Sequence, residues 1–164
     1  MISAEKIRDQ LISHGVTHVV GLPDNLFRAL FELLDAEPSI EVILVSREGE
    51  AFAIAAGLQV GGKTPVVLIQ NTGLLESGDA FRGTSWRMEI PQVILLSFRG
   101  YATLASKSGR KDSVAEFTVP TLKAWNIPYE IMNTDEDLDA LSRAFQKAQS
   151  TSLPAAVAIV EDTR

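Results

Sequence analysis

The sequence predicts a doubly wound α/β fold, a three-layer arrangement in which a parallel sheet lies between two layers of helices. Short apolar runs alternate with amphipathic patterns along the whole chain, and these runs are apolar on both faces, as expected for strands that are covered on both sides. No repeat, charge block or linker separates two cores, and 164 residues is the length of one ordinary domain. We therefore expect a single domain over residues 1–164.

The first part of the chain contains three predicted strand and helix pairs. Ser3 is a typical N-cap, the leucines of the second helix recur at helical spacing, and Gly61-Gly62 is a plausible helix stop. In order, we predict helix 4–14, strand 17–21, helix 25–35, strand 41–45, helix 48–59 and strand 65–69.

The second part continues the alternation with longer connections. We predict a polar loop at 70–73, a weak helix to about 88, strand 91–97, an exposed loop at 99–113, helix 114–125, strand 129–132, a helix capped by Asn133 or Thr134, and strand 155–160. Ligands in doubly wound folds bind at the carboxyl ends of the strands. The segments at these ends are 21–25, 46–50, 70–76 and 97–112.

Composition excludes several classes of function. A net charge of -6 disfavours nucleic-acid binding, which requires a basic face. The chain has no cysteine, which excludes disulfides, thiolate catalysis and Cys-ligated metals. The N-terminus has no signal-peptide pattern, and the longest apolar stretch, 51–60, is about half of a membrane span. We expect a cytoplasmic protein that binds neither nucleic acid nor membrane.

The residue types at the strand ends leave two interpretations open. Glu48 would lie at a helix N-terminus, where a carboxylate either only stabilises the helix or acts in catalysis. Asp24 is either an ordinary N-cap or a substrate contact, and Asn71 and Gly73 are either turn residues or part of a ligand cleft. Arg99 is the best candidate for binding an anionic substrate, because a guanidinium pairs with carboxylate, sulfonate or phosphonate through two hydrogen bonds.

One segment resembles the glutamate motif of thiamine-diphosphate-dependent enzymes. In Glu48-Gly49-Glu50-Ala51-Phe52-Ala53-Ile54-Ala55-Ala56-Gly57, a glutamate is followed by an alanine-rich helix with a glycine nine positions later. Gly21-Leu22-Pro23-Asp24, Gln70-Asn71-Thr72-Gly73-Leu74 and Ser97-Phe98-Arg99-Gly100 agree in order and spacing with the sulfopyruvate and phosphonopyruvate decarboxylases. The chain length is also similar to that of a separately encoded sulfopyruvate decarboxylase α subunit.

This resemblance implies the pyrimidine-binding domain of such an enzyme and a role for each motif. Glu48 would hydrogen-bond N1′ of the cofactor's aminopyrimidine, so that the cofactor's own exocyclic nitrogen can act as a base. The spacing to Gly57 selects Glu48 over Glu50. The implied cofactor contacts are Glu48, Pro23, Asn71, Thr72 and Gly73, and the implied substrate contacts are Asp24, Asn71, Arg99 and Lys111.

The resemblance also implies a partner. These enzymes hold the diphosphate through Mg²⁺ with a Gly-Asp-Gly motif followed by Asn-Asn, and this sequence has no Gly-Asp-Gly. We therefore expect no metal ligand in this chain, a diphosphate-binding β subunit that holds Mg²⁺, and a hetero-oligomer that also self-associates. The expected contact is a partly apolar face that includes residues 48–60 and 81–88.

Three segments depart from the pattern of these decarboxylases. Arg47 stands where Asn or His usually precedes the glutamate, Leu75-Glu76 replaces Gly-Asn, and residues 112–116 replace Asp-Glu-Pro-Gln-His. The leading hypothesis is a split 2-oxoacid decarboxylase that acts on sulfopyruvate or phosphonopyruvate. The alternatives are a subunit of another split enzyme such as a carboligase, and a non-catalytic regulatory domain. No phosphate-binding glycine motif favours a nucleotide-binding domain.

Overall fold

The computed structural model describes residues 1–107 and 109–164. It contains one six-stranded sheet in which every neighbouring pair of strands is parallel. From one edge to the other, the strands are β2 (Glu41–Leu44), β1 (His18–Gly21), β3 (Pro65–Gln70), β4 (Val93–Ser97), β6 (Ala155–Ile159) and β5 (Tyr129–Met132). The order reverses between β1 and β3, which is the switch point of a doubly wound sheet.

Helices cover both faces of this sheet, so the predicted three-layer α/β fold is confirmed. One face carries α1 (Ala4–Ser13), α2 (Arg28–Asp35) and α7 (Asp139–Thr151), and the other carries α3 (Glu48–Val60), α4 (Asn71–Glu76), α5 (Gly78–Phe81) and α6 (Ser113–Ala124). Alternate residues of β3 enter the two cores, with Val66 and Leu68 on the α1 side and Val67 and Ile69 on the α3 side.

Short helical turns lie between these elements: a π-helical turn at Arg82–Trp86 and 3-10 turns at Tyr101–Ala105 and Asp135–Asp137. Caps follow ordinary chemistry. The Ser3 hydroxyl accepts from the Lys6 amide, and the Thr134 hydroxyl accepts from the Glu136 amide. Thr134, one of the two cap residues predicted for the last helix, therefore caps the 3-10 turn before it, whereas α7 itself begins after Leu138 without a side-chain cap.

The two terminal segments pair with each other. Ile2 and Thr163 form a parallel bridge, and the Ile2 amide donates to the Asp162 carbonyl at 3.0 Å. The Thr163 amide and hydroxyl both donate to the Leu26 carbonyl, at 2.8 and 2.7 Å. The C-terminal segment is therefore fastened to the loop that follows β1.

Two boundaries differ from the sequence prediction. The polar loop predicted at 70–73 is wrong, because α4 begins at Asn71 directly after β3. Gln70 is the extended N-cap of this helix (φ -80°, ψ 155°), and the Ser77 hydroxyl bonds back to the Gly73 carbonyl at 2.5 Å. Polar and glycine residues therefore start a helix here rather than a loop, so that β3 passes straight into the helix.

The second helix starts later than predicted, at Arg28. Residues 24–27 form a turn instead, because Asp24 Oδ1 accepts from the Phe27 amide at 2.9 Å. The exposed loop predicted at 99–113 contains the 3-10 turn Tyr101–Ala105, and Ser108 within it lies outside the described residues.

Candidate active site

Three adjacent strands end together at one edge of the sheet. β1 ends at Gly21, β3 at Gln70 and β4 at Ser97, and Gln70 lies directly opposite Ser97 in the β3–β4 register. This edge includes the switch point between β1 and β3, where doubly wound folds bind ligands. The residues that follow these strands, with those that follow β2, define the candidate site.

Asp24 ties the ends of these strands together. Its Oδ1 accepts from the Phe27 amide, and its Oδ2 accepts from the Ser97 hydroxyl and from Gln70 Nε2, the latter at 3.5 Å. Gln70 Oε1 in turn accepts from the Thr72 hydroxyl at 2.8 Å. The half-buried carboxylate thus joins the β1 loop to both β3 and β4.

Pro23 is exposed at the start of the same loop. Together with Asp24 it lines an open depression of about 410 Å³ that lies against α2 and β2, where Arg28 and Phe31 contribute to the wall. Pro23 therefore lies in the loop that follows β1, at the edge of this depression.

Glu48 is the first residue of α3 and is half-buried, whereas Glu50 is exposed. Glu50 folds back over the helix start, where its Oε2 accepts from the Ser46 amide at 2.9 Å and from the Arg47 amide at 3.4 Å. Glu50 therefore stabilises the start of α3 by accepting these amides. Glu48 is the acid whose side chain lies against α4.

Gly73 provides the space for the Glu48 side chain. A Cβ at residue 73 would overlap Cγ and Cδ of Glu48 and would come to 2.5 Å from its Oε1. Gly73 is buried within α4, and no larger residue fits there while Glu48 keeps its position. This contact is the reason for glycine at this point of the polar motif.

Asn71 is completely buried and connects α4 to two other segments. Its Nδ2 donates to the Arg99 carbonyl at 3.0 Å and to the Thr118 hydroxyl at 2.9 Å. Among the described residues its Oδ1 has no hydrogen-bond partner, although that atom is buried. A buried acceptor without a donor is costly, so this oxygen is suited to a ligand that brings an N–H group.

The basic candidates lie further out. The Arg99 side chain is 57% exposed, and its Nε lies 3.6 Å from Asp112 Oδ2. Asp112 is itself the N-cap of α6, because its carboxylate accepts from the Val114 amide at 3.0 Å. Lys111 is exposed just before this helix.

The first turn of α4 is the centre of this arrangement. Asn71 donates a hydrogen bond to the segment that follows β4. Thr72 is connected to Asp24 by hydrogen bonds through Gln70, and Gly73 packs against the Glu48 side chain. Three consecutive residues thus connect all four motifs recognised in the sequence. Pro23 and Lys111 are the predicted site residues that these contacts do not include.

Sequence reasoning missed four residues that support the site: Gln70 and Ser97 beside Asp24, Thr118 beside Asn71, and Glu76 beside α3. Gln70 and Ser97 carried a usable signal, because each is a polar residue that closes an otherwise apolar strand. Thr118 and Glu76 lie on helices, and their partners depend on how those helices pack.

Within residues 1–107 and 109–164, no three His, Asp or Glu side chains lie close enough together to hold a metal ion. No helix in the same described part of the chain is long and apolar enough to cross a membrane.

Fold and site together define a doubly wound α/β domain in which polar residues, Glu48 among them, gather at the carboxyl ends of the strands. The family model for the thiamine pyrophosphate enzyme N-terminal TPP-binding domain matches residues 1–95. The chain belongs to this family.

Several relatives share more specific similarity. The sulfopyruvate decarboxylase subunit alpha of Methanothermobacter thermautotrophicus is 34% identical over 98 residues, which are 60% of this chain and 59% of that protein. The same subunit of Methanococcus maripaludis is 27% identical over 158 residues, 96% of this chain and 93% of that protein. The phosphonopyruvate decarboxylase of Streptomyces viridochromogenes is 31% identical over 112 residues, 68% of this chain and 27% of that protein.

A solved structure has the same fold. The benzoylformate decarboxylase of Polynucleobacter necessarius superimposes with a TM-score of 0.70 at 22% identity, over 98% of this chain and 30% of that one. The matched region is therefore a little over half of the first α-subunit relative and less than a third of the phosphonopyruvate and benzoylformate decarboxylases.

Proposed function

We propose that residues 1–164 form one pyrimidine-binding domain, the α subunit of a split thiamine-diphosphate-dependent 2-oxoacid decarboxylase. Sulfopyruvate is the first candidate substrate and phosphonopyruvate the second, as the names of the relatives suggest. The observation that carries the proposal is the first turn of α4, because it lies in one of the four segments of the family resemblance and connects to the other three, in the case of Asp24 through Gln70.

The residues of the crevice fit the aminopyrimidine of the cofactor. Glu48, whose side chain lies against Gly73, would hold a proton at N1′, and Asn71 Oδ1, which has no partner within the described residues, would accept from the exocyclic amino group. Thr72 and Pro23 would line the same crevice. When bound, thiamine diphosphate supplies the electron sink for decarboxylation.

The diphosphate and its Mg²⁺ belong, in this proposal, to a β subunit. The sequence has no Gly-Asp-Gly motif, and its similarity to an α subunit extends over 93% of that relative. The site would then lie between the two subunits, and the assembly would reside in the cytoplasm, a location compatible with the cysteine-free composition.

Arg99 and Lys111 are the proposed contacts for the anionic groups of the substrate. The Arg99 guanidinium is exposed, and within the described residues Asp112, 3.6 Å from Nε, is the one carboxylate that pairs with it, so its other nitrogen atoms are suited to bind an anion. Asp24 would act beside them, where its carboxylate fixes the β1 loop against β3 and β4.

The proposed subunit contact is the outward side of α3 with the adjoining π-helical turn. Ile54, Val60 and Met88 are 37%, 67% and 50% exposed, and α3 is apolar or small on nearly every side. A helix that is apolar all round is expected to be covered by protein. This face would meet the β subunit and a second α subunit.

The function is tested by coexpressing the chain with the β subunit and measuring carbon dioxide release from sulfopyruvate and phosphonopyruvate. Glu48→Gln should abolish activity, whereas Glu50→Gln, which keeps an acceptor for the Ser46 and Arg47 amides, should retain it. A Glu48→Gln enzyme with wild-type activity would point to a non-catalytic domain instead.

The contact face is tested separately by changing its charge. Ile54→Asp should prevent assembly with the β subunit in size-exclusion chromatography. Ile12→Asp is the matched control, because Ile12 is 39% exposed but lies on α1, in the opposite helix layer. Equal assembly of the two variants would show that α3 is not the contact.

A further inference from the structure

The helix that carries Glu48 begins without an ordinary cap. Its N-cap residue is Arg47, whose guanidinium contains only hydrogen-bond donors, whereas N-caps are normally Ser, Thr, Asp or Asn. The first amides of α3, including that of Gly49, therefore need an acceptor from elsewhere.

That acceptor comes from α4. Glu76 Oε2 accepts from the Gly49 amide at 3.1 Å, and Glu76 Oε1 pairs with the Arg47 guanidinium. The Arg47 guanidinium, helped by the Gly49 amide, holds the pKa of the Glu76 carboxyl below its ordinary value. A carboxylate near a helix N-terminus is also favoured by the helix dipole.

The same helix contacts Glu48 itself. Gly73 and Glu76 are three residues apart on α4 and so lie on one face of it. The Glu48 side chain packs against Gly73. Glu76 bonds to the two residues that flank Glu48 in the sequence, which are Arg47 and Gly49. One face of α4 thus fixes both the side chain and the backbone of the proposed catalytic acid.

We propose that Arg47 and Glu76 form an interhelical latch that positions Glu48. Arg47 and Glu76 are also two of the positions at which the sequence departs from the pattern of the related decarboxylases, and the structure shows that these two departures contact each other. They therefore act as one coupled unit, in which an arginine at the N-cap is compensated by a carboxylate from the next helix. The latch rests on the proposed function of Glu48.

The backbone part of the latch is tested on the chain by itself, by amide hydrogen exchange at Gly49. Glu76→Ala should raise exchange at Gly49 by about 10-fold or more, because the amide loses its acceptor. Glu76→Gln should keep most of the protection, since its amide oxygen still accepts. The control is Glu130→Ala, which removes a similarly exposed ion pair with Arg143 at the far edge of the sheet.

The positioning part is tested on the assembled enzyme. Glu76→Ala should weaken thiamine diphosphate binding, measured by calorimetry, and lower kcat by about 10- to 100-fold at saturating cofactor, because a shift of about 1 Å in a catalytic group has this order of effect. Glu76→Gln should recover a large part of both values, and Glu130→Ala should match the wild type.

Two results would overturn the latch: unchanged Gly49 exchange in Glu76→Ala, or a kcat and cofactor affinity equal to those of Glu130→Ala. Failure of the latch is distinguishable from failure of the proposed function. If Glu48→Gln is inactive while Glu76→Ala is normal, only the latch is wrong. If Glu48→Gln is fully active, the proposed function itself is wrong.

Discussion

The contact between Gly73 and Glu48 leads to a prediction in which activity is lost while stability hardly changes. Gly73→Ala adds a single methyl group inside α4, and that carbon would come to 2.5 Å from Glu48 Oε1. Ordinary van der Waals contacts begin near 3.4 Å, and the added carbon lies closer still to Cγ and Cδ of Glu48, so the Glu48 side chain must retreat by roughly 1 Å or more. Glu48 is only half-buried, and its side chain can make this movement by turning toward solvent.

The size of each effect follows from this displacement. Alanine is favoured over glycine inside a helix by about 1 kcal/mol, and an off-rotamer Glu48 costs about 0.5–1.5 kcal/mol, so the stability of the chain should hardly change. A displacement of about 1 Å in a catalytic group, however, lowers the rate by roughly 100-fold. We therefore expect Gly73→Ala to fold normally and to be almost inactive.

The assay compares Tm of the chain alone with kcat/KM of the assembled enzyme at saturating thiamine diphosphate. Gly57→Ala provides the stability control, because a Cβ at that position would meet no described atom within 4 Å beyond the backbone of its own helix. It should raise Tm of the chain by roughly 2–4 °C, the equivalent of about 1 kcal/mol. A Gly73→Ala enzyme with wild-type kcat/KM would refute the placement of Glu48 beside α4.

Three further predictions concern the surroundings of the site. Asp24→Ala should destabilise the chain by about 1–3 kcal/mol in urea unfolding, because it removes the acceptor of a backbone amide and two side chains. A loss below 0.5 kcal/mol would contradict the network. Arg99→Gln should raise KM for an anionic substrate by about 10-fold or more with little effect on kcat, whereas a change in kcat alone would exclude a binding role. The pKa of Glu76 is lowered by Arg47, so its stabilising contribution is present above its ordinary value of 4.5 and is lost as the pH falls below it. In acid unfolding, the stability difference between the wild type and Glu76→Gln should therefore shrink below that pH, and a constant difference would contradict this assignment.

The architecture could be predicted from the sequence because it depends on periodicity alone. Buried parallel strands such as β3 are continuous apolar runs, and alternation with amphipathic helices leaves few other ways to cover them. The strand order β2-β1-β3-β4-β6-β5 was not predictable in the same way, because it is set by how each crossover packs on the sheet.

The site was predictable only as a set of chain segments. Strand ends identified the stretches that contain Asp24, Glu48, Asn71 and Arg99, since carboxyl ends of parallel strands meet at one edge. Which atoms touch was not accessible, because the pairing of Glu76 with the start of α3 depends on the angle between two helices. The early start of α4 was missed for a related reason: Asn and Gly favour turns locally, but here tertiary contacts with Glu48 and Thr118 support a helix.

The pairing of the terminal segments means that residues 163–164 help to hold the loop that follows β1. Thr163 holds the Leu26 carbonyl through two hydrogen bonds, only two residues after Asp24, and no strand of the sheet lies beyond Ile159. Trimming Thr163 and Arg164 would therefore leave all six strands in place yet release the loop that carries Pro23 and Asp24. The C-terminal segment therefore supports the loop after β1 from the far end of the sequence, and a tag attached after Arg164 would lie close to this loop.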